Sequence, residues 1–177
     1  MNKLSRQFTN IFIRYLILII IALPNFWLFY LIFTPLTLYP VYFLLSLFFD
    51  TSLMQNIILI NDLPIELIPA CIAGAAYYLL LILNISVPKI KFKKRIKMIS
   101  FSFLSLLILN ILRIFILSLV FLSGNSFFNI AHRLFWYLGS TLFVVGIWFA
   151  EVKIFKIKEI PVYSDLKFLY KKSILKK

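Results

Sequence analysis

The chain has 177 residues, 63% of them hydrophobic, and a net charge of +13 at pH 7. Soluble domains average about 45–50% apolar residues, so a mean hydropathy of +1.00 excludes an ordinary water-soluble domain and implies a single integral membrane domain over residues 1–177. The basic residues form blocks between long apolar runs instead of coating a soluble binding face. That distribution sets aside nucleic-acid binding and fits the positive-inside pattern of membrane proteins.

The first apolar run is residues 15–34, from Tyr15 through Trp27 to Phe33. About 20 such residues cross a hydrocarbon core of about 30 Å. The run is too long for a removable signal segment and no small-residue cleavage site follows it, so it reads as a retained span. Pro24 lies inside it and is expected to kink it. Leu36 to Phe49, with Pro40, is shorter and reads as a re-entrant or interfacial helix. Residues 50–69 then bring Asp50, Asp62, Glu66, Pro64 and Pro69 with no Lys or Arg. Ile57–Ile60 and Ile65–Ile68 are β-leaning stretches around Asn61-Asp62, suited to a small hairpin. Ala70 to Val87 is the next apolar run. Lys89 to Lys97 holds six cations in nine residues. Met98 to Leu122 is apolar but for Arg113, Ser123–Ser126 is a turn or loop, and Arg133 to Ala150 is the last apolar run. A tail from about residue 153 carries eight Lys residues and is expected to be solvated or laid on anionic headgroups.

The fold expected is all-α, a polytopic transmembrane bundle of about five to six membrane helices with a short extracytoplasmic loop or hairpin before Cys71. Cationic loops stay cytoplasmic, which places the N-terminus, residues 89–97 and the tail inside, and residues 50–69 and 123–131 outside. An odd number of crossings then separates the N-terminus from residue 50. One full crossing at 15–34 satisfies this, leaving 36–49 as a non-crossing segment. The rival arrangement has an outward N-terminus and two crossings.

Seventeen of the nineteen basic residues fall in those three cytoplasmic blocks. Arg113 and Arg133 do not. At 1.5 Å per residue, Arg113 lies about 24 Å beyond Lys97, Cys71 about 27 Å from Lys89, and His132 about 31 Å from Lys153. The only cysteine, a charged membrane residue and the only histidine therefore reach one level near the non-cytoplasmic edge. An arginine at the centre of a membrane helix costs roughly 2.5–3.5 kcal/mol, which makes Arg113 a functional or buried-pair residue by default. A thiolate is the attacking form of cysteine. His132 can take the thiol proton and return it to a leaving amine, and Arg113 can hold the thiolate or an oxyanion. Asn110, one turn before Arg113, is a candidate partner for it. Each residue also has a plain structural reading: Cys71 as a small hydrophobe, His132 as an interfacial anchor, Arg133 as a snorkelling cation, and Asp50, Asp62 and Glu66 as solvated loop charges. One cysteine and one histidine do not make a zinc site, and no metal or organic cofactor is implied.

Ala70-Cys71 at the outer start of a helix, Asn110-Ile111-Leu112-Arg113-Ile114 late in the next, and His132 after an outer loop resemble the exosortase/archaeosortase family over roughly residues 55 to 150. The stretch Ile68-Pro69-Ala70-Cys71-Ile72-Ala73-Gly74 resembles its compact archaeal branch, the pacearchaeosortases. The resemblance implies a multi-pass cell-membrane cysteine protease or transpeptidase with its active site at the extracytoplasmic face. Its substrates would be membrane-anchored surface proteins bearing a C-terminal sorting signal, with water or a lipid acceptor resolving the thioester. Cys71 would be the nucleophile, Arg113 the matching arginine and His132 the third member. Many members read Cys-Ser-Gly, whereas Gly74 comes one residue later here. Some archaeal members use arginine as the third residue, so Arg133 competes with His132. A non-catalytic scaffold, and a small transporter with Arg113 as substrate counter-ion, are the alternatives.

Overall fold

The computed structural model describes residues 3–61, 63–124, 128–135 and 139–172. Asp62 and the Asn125-Ser126 part of the turn lie outside the described residues. The first apolar run is not one helix. Pro24 supplies no N–H to a continuing ladder, and Asn25 and Phe26 adopt left-handed conformations, so the chain breaks between α1 (Lys3–Ala22) and α2 (Trp27–Ser46). The expected short segment at 36–49 is the second half of α2, with Pro35 and Pro40 inside the helix. Membrane helices tolerate such prolines when neighbours re-satisfy the backbone. Here Leu38, Val41 and Leu45 are buried in the core and α2 lies along α5 (Phe92–Leu122).

Both early helices run opposite to α4 (Gly74–Ser86). Arg14 Nη1 donates to the Ile85 carbonyl, and the Tyr78 hydroxyl donates to that of Leu18. Farther along, Phe26 packs on Tyr78 with ring centroids 5.0 Å apart, and Tyr30 faces Gly74 so closely that a Cβ there would meet its ring at 2.8 Å. Down α4 the partners thus read in reverse order, so α1 and α2 advance in the same direction. The core is aromatic at this level: Phe33 stacks on Tyr77 at 3.7 Å, and Phe103 meets both edge-on. Where lipid surrounds a bundle, such packing does the work that the hydrophobic effect does in water.

The all-α expectation is incomplete. Between α2 and Cys71 the chain forms a three-stranded antiparallel sheet, β1 (Thr51–Met54), β2 (Ile57–Ile60) and β3 (Leu63–Glu66), in that order. The expected hairpin is β2–β3, with Ile57 opposite Glu66 and Ile60 opposite Leu63. Its second strand starts two residues earlier than the apolar pattern suggested. Ile58 and Ile60 are fully buried and join Leu67 in the helical core, which is why the sheet sits on the bundle rather than in solvent.

Among the described residues, four helical stretches are long and apolar enough to cross a membrane: Ser5–Ala22, Trp27–Ser46, Pro69–Ser86 and Phe92–Leu122. Large apolar side chains stand outward on them, including Phe12 at 67% and Phe43 at 62% exposure. Patches of that extent suit lipid contact. The shorter α7 (Ser140–Ile154) packs against α4 and α5. It runs antiparallel to α5, since Ser140 meets Arg113 and Glu151 meets Ser102. Glu151, absent from the sequence reading, is fully buried, and its Oε2 accepts bonds from Asn84 and Ser102 at 3.1 and 2.7 Å. This polar knot ties three helices together at the end opposite Cys71.

The tail is not simply a solvated segment. The helix α8 (Tyr163–Lys172) returns to α1: Asp165 accepts two bonds from Arg14 at 2.7 and 2.9 Å and one from the Tyr15 hydroxyl, and Phe168 packs on Phe8. Asp165 is only 3% exposed, and removing one partner of a buried pair costs about 3–5 kcal/mol because the other charge is stranded. Asp165→Ala is therefore expected to free α8, and limited proteolysis should then cut within residues 155–162 while the wild-type chain resists.

Candidate functional site

The segment that carries Cys71 is locally unusual. Ile68 is extended, Pro69 starts a single helical turn, α3 (Pro69–Ile72), and Ala73 ends it at φ 61°, ψ 40°. A left-handed alanine is strained by roughly 1–2 kcal/mol, so the surrounding packing holds it there. Gly74 then opens α4 directly beneath the Tyr30 ring, where no side chain would fit without moving the phenol. The outcome is a turn detached from the long helix. Ile72 points into the core at 1% exposure, while Cys71 is half-buried and faces a cavity.

Two bonds fix that turn. The Cys71 amide donates to the Ile68 carbonyl at 2.8 Å. The Asn110 side-chain amide donates to the Cys71 carbonyl at 2.7 Å. The sequence expectation that Asn110 partners Arg113 is corrected here. Asn110 is 1% exposed and its short amide reaches α3, whereas the longer Arg113 side chain reaches past it to α7. Arg113 Nη1 donates to Ser140 Oγ at 3.2 Å, and its Nε has no hydrogen-bond partner among the described residues. Arg113 is 8% exposed, and its charge is close enough to Cys71 for the two groups to interact electrostatically.

His132 lies in the short helix α6 (Phe128–Leu134), stacked on Phe128 at 5.5 Å with an interplanar angle of 11°. Cys71, Arg113 and His132 all line one cavity of about 400 Å³, together with Glu66, Tyr30 and Ser140. This is within the range of ligand pockets, about 300–1,000 Å³. Three helices distant in sequence thus meet at one chamber, as the level estimate anticipated. Arg133, the competing third residue, is exposed and does not line it. No group of three or more metal-ligating side chains occurs among the described residues.

Three members were not legible as site residues. Glu66 was read as a solvated loop charge, yet it lines the cavity from β3. Ser140 follows Gly139 at the start of α7, and its spacing from Arg113 carried no signal until the two helices were paired. Tyr30 carries no mark that separates it from the other tyrosines of the apolar runs.

The arrangement offers a thiol nucleophile, a histidine able to shuttle a proton and a cation able to bind a developing oxyanion, walled by apolar side chains that strengthen charge interactions. No protein-family model, curated protein or solved structure matches this chain.

Proposed function

We propose that this chain is a membrane-embedded cysteine protease or transpeptidase. It would act at the extracytoplasmic face on membrane-anchored proteins with a C-terminal sorting signal. The observation that carries this reading is the convergence of Cys71, Arg113 and His132 on one cavity. The substrate class comes from the resemblance to the exosortase/archaeosortase family. In the reaction, the Cys71 thiol loses its proton to His132, and sulfur adds to the scissile carbonyl. Arg113 holds the resulting oxyanion. Its collapse breaks the C–N bond as His132 returns the proton to the leaving amine. Water or a lipid amine then displaces sulfur from the thioester.

The orientation belongs to the same proposal. Both early helices advance in one direction against α4, which supports a single broken crossing by α1 and α2. With α4, α5 and α7 this makes five membrane helices in four passes, both termini and the 89–97 block in the cytoplasm, and the sheet and cavity outside.

A membrane-impermeant maleimide tests site and orientation together. Cys71 should be modified from the extracytoplasmic side of intact vesicles, and faster after mild detergent opens the bundle. Modification only from the cytoplasmic side would refute both.

A further inference from the structure

The sheet has two edges, and they are treated differently. β1 packs against α2. β3 is the other edge, and Leu63, Pro64 and Glu66 are exposed along it. The Leu67 amide donates to the Asn56 carbonyl at 2.9 Å, toward β2. Backbone groups alternate sides along a strand, so those of Leu63 and Ile65 also face β2, and those of Pro64 and Glu66 face away. Pro64 fits the outward position because it has no N–H to leave unpaired. Glu66 is left with an N–H and a C=O on the open side, the pair that one residue of an added strand would engage.

This edge is not remote from the site. Pro64, Ile65, Glu66 and Leu67 all form part of the cavity wall. The Glu66 carboxylate is near enough to Cys71 to interact with it electrostatically, and it is the one carboxylate in that wall among the described residues. An edge with no strand partner among the described residues, an adjoining thiol and a lone negative charge together specify an occupant: an extended peptide bearing a cationic side chain.

We propose that the substrate polypeptide binds as an added strand on β3, pairing its backbone with Glu66, and that the Glu66 carboxylate selects a Lys or Arg next to the scissile bond. This rests on the reading of Cys71 as nucleophile and names how its substrate is held. Strand addition of this kind draws affinity from the backbone and specificity from alternate side chains.

The probe is a set of short peptidyl thioesters added to the full-length protein in micelles. Transfer of the acyl group to Cys71 releases the small thiol and is read by intact mass. Peptides with Lys or Arg beside the reacting carbonyl should acylate about tenfold faster than those with Glu, because attraction becomes repulsion. Glu66→Lys should reverse that order, and Glu66→Gln should flatten it. Methylating the one backbone nitrogen that pairs with Glu66 should slow acylation about tenfold, whereas methylating its neighbours should not.

Acylation of Cys71 with no charge reversal and a flat methylation scan would overturn strand addition while leaving the nucleophile intact. No acylation by any peptide would overturn both. A change in oligomeric state with Glu66→Lys, without a change in peptide preference, would assign the edge to a second copy of the chain and also overturn the proposal.

Discussion

Cys71→Ser is expected to stop processing of a co-expressed surface protein carrying a C-terminal sorting signal, with a loss on the order of 10⁴–10⁶-fold, the scale seen when a nucleophile or its base is removed. Accumulation of uncleaved precursor on immunoblots measures it. The substitution changes one atom. The Cys71 amide keeps its bond to Ile68 and its carbonyl keeps the bond from Asn110, so the turn that presents the side chain stays in place. An alcohol in that position lacks the nucleophilicity of a thiolate. The variant should therefore reach the membrane in normal amount with an unchanged unfolding temperature. Normal processing by Cys71→Ser would sink the protease reading and return the chain to the scaffold alternative, for which this position is silent.

The legible part of this molecule was set by spacing, and the illegible part by contact. Charge blocks fixed which ends of the apolar runs lie together, and a constant rise per residue then brought Cys71, Arg113 and His132 to one level. That estimate needed no knowledge of which helices touch. Helix boundaries near proline were harder. Pro24 breaks the chain while Pro35 and Pro40 do not, because the packing of α2 along α5 compensates for them. No local rule separates the two cases. Asn110 shows the same limit at the site: i, i+3 spacing makes it a neighbour of Arg113, yet its amide finds the Cys71 carbonyl on another element. Charge alone also leaves the docking of the tail unread, since an eight-lysine segment conceals Asp165, the residue that fastens it to Arg14.

Arg113 gives the sharpest separation between a structural and a functional role. A buried arginine kept for stability should be paired, and among the described residues its bonding is limited to Ser140 Oγ at 3.2 Å, with Nε unpartnered and no carboxylate within ion-pair distance. A cation at the centre of a membrane helix costs roughly 2.5–3.5 kcal/mol. Replacing an incompletely satisfied buried charge by a hydrophobe of similar length is often neutral or stabilising. Arg113→Met is thus expected to leave the unfolding temperature in detergent unchanged or to raise it, while processing falls about 10²–10³-fold, the usual loss for one oxyanion donor. Arg113→Lys should recover only part of the activity, because a point charge cannot keep Ser140 and the oxyanion on one planar fork. Stability and activity moving in opposite directions is the signature of a charge held for a developing anion. A fall in both would make Arg113 a structural residue, and substrate flux that depends on Arg113 but not on Cys71 would favour the transporter.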